Sequence, residues 1–96
     1  MLGSALLVLN RAGEALAVAE HAVSLDPAHA DAWSIKGLAL LKLGQLNEAL
    51  AAFEILLRLA PTFAAAYTYK GTALQMLGRT KESQQAFRVA KMLEQK

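Results

Sequence analysis

Five residues between positions 21 and 34, His21, Asp26, His29, Asp31 and Ser34, are of the types that bind metals or build nucleophiles. A metal centre needs several imidazole, thiolate or carboxylate ligands converging on one point. Here there is no cysteine, neither histidine has a His-x-x-x-His partner, and both aspartates fall in or beside a turn. No metal and no cofactor is expected. Ser34, His29 and Asp31 are too close along the chain, and too spread around a helix start, to give a nucleophile with its base and orienter. No catalytic residue is assigned, and the chain is not read as an enzyme.

The remaining candidates fall to spacing. Gly37, Gly44, Gly71 and Gly78 recur at a fixed interval instead of clustering as a phosphate-binding loop would. Glu14, Glu48 and Glu82 recur in the same way, each in the first turn of an expected helix, where a negative charge complements the helix dipole. Residues 1 to 63 hold four Lys/Arg against six Asp/Glu, and residues 64 to 96 hold six against two, so the carboxyl-terminal third is basic. Nucleic acid would require aromatic residues among Arg79, Lys81, Arg88, Lys91 and Lys96, and the one present, Phe87, is assigned to the core. A nucleic-acid partner is therefore not expected.

What positions all of these is a period of 34 residues. It relates Gly3, Gly37 and Gly71, then Ala5, Ala39 and Ala73, then Leu6, Leu40 and Leu74, then Leu9, Leu43 and Leu77. Phe53 and Phe87 keep the register, and Pro27 and Pro61 close the first two units. Each unit divides at Asn10, Gly44 or Gly78, residue types that accept the left-handed conformation ending a helix. Six helices are predicted, near residues 1–9, 12–25, 30–43, 46–59, 63–77 and 80–94, with connections short enough to force antiparallel packing. The composition agrees, with 55% hydrophobic residues, 19% charged residues and two prolines in 96 residues, enough for one small folded domain. The opening MLGSALLVLN has no basic residue before its apolar run, and no stretch approaches the length of a bilayer span. No membrane is expected, and the cytoplasm is the default compartment.

On these residues the chain resembles the tetratricopeptide repeat family. The family's aromatic near the start of the first helix is matched by Trp33 and Tyr67, and its small contact residue by Gly3, Gly37 and Gly71. Ala15 and Ala49 match its second-helix alanine, Phe53 and Phe87 the aromatic one turn later, and Pro27 and Pro61 its closing proline. The resemblance implies an all-α fold of antiparallel helical hairpins stacked as a right-handed solenoid of about two and a half repeats. The units are a partial repeat at 1–29, a full repeat at 30–63 and a terminal repeat at 64–96, in one domain. Departures occur at Lys36 and Lys70, where leucine is commoner, at Ser83 in place of the alanine, and at Ala19 in place of the aromatic.

Each unit needs its neighbours to cover its apolar faces. The third unit turns polar at Gln84 and Lys91, where the second has Leu50 and Leu57, so residues 80–94 are expected to cap the stack with no fourth repeat following. The first helix, with Leu2, Leu6, Leu7, Val8 and Leu9, is expected to expose apolar surface. By the resemblance, first helices line a concave groove that receives peptides, and the residues falling there are Ser34, Ile35, Leu38, Leu41, Lys42, Thr68, Tyr69, Thr72, Gln75 and Met76, with Ser4, Leu7 and Val8 before them. Chaperone-binding members hold a carboxyl-terminal carboxylate with Lys, Asn and Arg, at places that correspond here to Ser4, Ile35, Ala65 and Tyr69, so that clamp is absent. The expected function is an adaptor or scaffold taking an apolar or amphipathic peptide or helix of a protein partner. The rival reading is a self-assembly module that forms a homo-oligomer through the amino-terminal helix and the same groove.

Overall fold

A computed structural model describes residues 2–95, with side chains from Arg11 onward. It holds five α-helices: α1 Leu2–Leu25, α2 Ala30–Lys42, α3 Leu46–Leu59, α4 Ala64–Met76 and α5 Thr80–Glu94. Each helix packs against the next, and α2 also touches α4.

The hairpins α2–α3 and α4–α5 turn as the sequence predicts. Gly44 and Gly78 have φ of 81° and 82°, a region in which a Cβ is costly. Past α2, the Gly44 amide donates to the Leu41 carbonyl (3.1 Å) and the Gln45 amide to the Leu40 carbonyl (2.9 Å), which satisfies two carbonyls the helix would leave bare. Gly78 and Arg79 repeat this on Gln75 and Leu74 at 3.0 and 2.9 Å.

The first unit does not turn. One helix runs from Leu2 to Leu25 where two were predicted, and Asn10 lies inside it. A non-glycine residue pays for positive φ, and among the described residues only Gly44 and Gly78 take it. Glu14 consequently sits within α1, while Glu48 and Glu82 occupy first turns of α3 and α5 as expected. Glu82 also pairs with Arg79. The expectation that the first helix exposes apolar side chains falls on residues 2–9, whose side chains lie outside the described residues.

The core sits in the middle of the stack. Leu40, Ala49, Ala52, Phe53, Leu56, Ala66 and Ala73 form its principal cluster. Phe53 and Leu56 have no exposed surface, because α3 is covered by α2 on one side and α4 on the other. Phe87, at the same register in α5, is only half-buried, since α5 packs on α4 alone among the described helices. Gln84 and Lys91 are exposed there, as their polarity requires.

Candidate binding groove

Two of the residues of chemical type, His29 and Asp26, are occupied with structure. His29 caps α2, its Nδ1 accepting from the Ala32 amide at 3.2 Å. The Asp26 carboxylate accepts from the Ala28 amide at 3.2 Å in the turn beside Pro27. Among the described residues no group of three His, Cys, Asp or Glu converges. Trp33 joins the turn to the stack: its indole Nε1 donates to the Pro27 carbonyl at 2.7 Å, and its ring packs against the core. The Lys36 ammonium lies 5.0 Å from that ring's centroid, so the lysine in the family's usual leucine position is held half-buried by a cation–π contact.

The predicted groove residues separate into four groups, with Leu38 shared by the first two. Ile35, Leu38 and Lys42 meet in one cleft of about 360 Å³ between α1 and α2, whose other walls are Arg11, Ala12, Ala15 and Ala39. Ile35 is 48% exposed and Lys42 is exposed at its edge. Leu38, Leu41 and Tyr69 are half-buried and pack against the principal core cluster. The Tyr69 ring stands 5.6 Å from that of Phe53, tilted by 36°. These three hold the stack together as well as bordering the groove. Ser34, Thr68 and Thr72 are half-buried, and the two threonine hydroxyls donate back to Ala64 (3.4 Å) and Thr68 (3.0 Å) carbonyls of their own helix. Gln75 and Met76 are exposed at the end of α4, away from the cleft.

Arg11, Ala12 and Ala15 were not among the expected groove residues: the predicted turn at Asn10 puts Arg11 in a connection and Ala12 and Ala15 at the start of a second helix, with Ala15 as its packing alanine. The 34-residue register was the available signal: Ala15 corresponds to Ala49, and its cover depends on a helix turning back at Asn10.

Antiparallel helices joined by glycine turns, with a glycine packed on an aromatic at the same place in successive units, define an α-helical repeat protein. The tetratricopeptide repeat model matches residues 1–62 and again residues 36–95, and the chain belongs to that family. A crystal structure of MamA matches with a TM-score of 0.85 at 29% identity, over 98% of this chain and 55% of that one. A second MamA structure, of AMB-1, gives 0.86 at 23% identity, over 90% and 51%. The second TPR of Spaghetti (RPAP3), bound to HSP90 peptide SRMEEVD, gives 0.82 at 24% identity, over 85% and 76%. The chain thus spans about half the length of the MamA chains it matches. No curated protein matches the sequence. No helix among the described residues is long and apolar enough to cross a membrane.

Proposed function

We propose that the chain is a non-enzymatic protein-interaction module that takes an apolar or amphipathic segment, such as one face of a helix, in its concave groove. The α1–α2 cleft carries this reading. Five of its seven lining residues are apolar, and Arg11 and Lys42 stand at its edge to meet an acidic flank. Support also comes from the relative RPAP3, whose second TPR is bound to a peptide. Ile35 is the anchor, being the large apolar residue of the cleft that solvent reaches most. Leu38 lies beneath it, while Leu41, Tyr69, Thr68, Thr72, Gln75 and Met76 extend the face along α2 and α4.

Fluorescence anisotropy with labelled amphipathic helical peptides bearing acidic flanks tests this. Ile35→Asp should weaken binding by about tenfold or more, with the melting temperature unchanged because the side chain is exposed. A parent chain that binds none of a broad panel would end the reading.

The second reading, self-association, is favoured by α1. Among the described helices it packs on α2 alone, where α3 is covered on two sides.

A further inference from the structure

We propose that the segment taken by the groove is an α-helix held in one direction, antiparallel to α1, with acidic side chains at its carboxyl end. The proposal rests on the groove reading above and adds the conformation, direction and charge pattern of the ligand.

Both walls of the groove carry the same pattern. On α2, Asp31, Ile35, Leu38 and Lys42 recur at helical spacing and share one face, with a carboxylate at its start, apolar side chains between and an ammonium at its end. On α1, Arg11, Ala15, Val18, Ala22 and Leu25 share a face in the same way, and Asp26 follows at once. The two helices run in opposite directions from the turn at Pro27. Arg11 and Lys42 therefore meet at one end, where both line the cleft, and Asp26 and Asp31 stand exposed at the other. The ends are separated by the length of α2, about 20 Å at ~1.5 Å per residue. Among the described residues none of these four charges is in a salt bridge. Glu14, one turn from Arg11, is exposed outside the cleft lining.

The α1 wall is a seat for a helix. Ala15, Val18 and Ala22 stand one repeat before Ala49, Ala52 and Leu56 of α3, which are 0%, 2% and 0% exposed. On α1, Ala15 and Ala22 are only half-buried, and Val18 and Leu25, at 69% and 73%, are the most exposed large apolar side chains among the described residues. A helix satisfies its own backbone groups, whereas an extended segment would need a strand edge, and both walls here are helices.

Two arguments give the direction. A helix carries partial positive charge at its amino end and partial negative charge at its carboxyl end, so it lies favourably with its amino end at Asp26 and Asp31 and its carboxyl end at Arg11 and Lys42. Acidic side chains at that carboxyl end meet the same two cations. Repeat geometry agrees independently. The carboxyl end of α2 leads through Gly44 to the amino end of α3. A helix set on α1 as α2 is set on α3 ends at the counterparts of Gln45 and Leu46, which are Arg11 and Ala12.

The probe is a capped helical peptide about as long as α2, with leucine and alanine on one face and glutamine on the other. It carries a pair of glutamates at either its carboxyl or its amino end. In anisotropy titrations at low salt the carboxyl-end form should bind about fivefold tighter. Arg11→Glu with Lys42→Glu should invert that preference and, since both side chains are exposed, melt with the parent. A proline in the middle of the carboxyl-end peptide should abolish its binding. If neither peptide binds the parent, the groove reading and this one fall together. Equal affinity for the two, a preference for the amino-end form, or a preference that the double variant leaves unchanged overturns the direction alone. A proline peptide that binds as tightly overturns the helix.

Discussion

The ring of Phe53 occupies the space that a side chain on Gly37 would need: a Cβ there would fall 2.7 Å from Cδ1 and 2.9 Å from Cζ. Phe53 has no exposed surface, so its ring can move only by displacing packed neighbours. Two effects oppose each other in Gly37→Ala. Alanine gains up to about 1 kcal/mol of helix propensity, and overpacking costs about 1–3 kcal/mol. Overpacking wins, so Gly37→Ala should lower stability in denaturant titration. Gly71→Ala meets Phe87 at 2.8 Å, but that ring is half-buried and can yield, so its loss should be smaller. Gly13→Ala has nothing within 4 Å in the interior of α1 and should stabilise by about 0.8–1 kcal/mol. A Gly37→Ala variant as stable as Gly13→Ala would remove the close contact from the account of the fold.

Trp33 in α2 and Phe53 in α3 are the two aromatic residues of one unit, and they differ in what they contribute. Phe53→Ala empties a site closed on both sides and should cost about 3–5 kcal/mol, a large share of the roughly 5–15 kcal/mol of a domain. Trp33 is half-buried and holds the Pro27 carbonyl through its indole. Trp33→Phe keeps a ring and deletes that hydrogen bond, so it should cost about 0.5–1.5 kcal/mol. Thermal melts of both variants decide the ranking; Phe53→Ala melting with the parent would contradict the core described above.

Most of residues 30–95 is legible in the sequence because both hairpin turns there have a glycine at the one position that needs positive φ, and Pro61 marks the turn between the two units. The first unit is not, since Asn10 stands at that position and a helix continues through it. The groove is legible only in part. Ile35 and Tyr69 both carry concave-face register, and Tyr69 is drawn into the core by the Phe53 ring of the preceding unit, a contact between units that no spacing within one unit reveals. Ile35 has no ring at the matching place behind it, because Ala19 stands where Phe53 and Phe87 do in the other two units.

The last prediction concerns the peptide SRMEEVD, to which the second TPR of RPAP3 is bound. The likeness of fold alone suggests testing it here, and the side chains argue against binding. Its acidic residues and terminal carboxylate call for cationic donors, and the places where chaperone-binding members of the family carry Lys, Asn and Arg correspond here to Ser4, Ile35, Ala65 and Tyr69. Ile35 opens onto an apolar cleft and Tyr69 packs on Phe53. Hydrogen bonds to charged groups contribute about 1.5–3 kcal/mol each, so losing two or more lowers affinity by roughly a hundredfold or beyond. Lys42 and Arg11 supply positive charge at the cleft edge, but without a fixed donor set they give only screened attraction. Anisotropy titration of labelled SRMEEVD should show weak binding that disappears as salt is raised toward 0.15 M. Saturable binding that survives that salt would mean the chain holds carboxylates by residues other than those named.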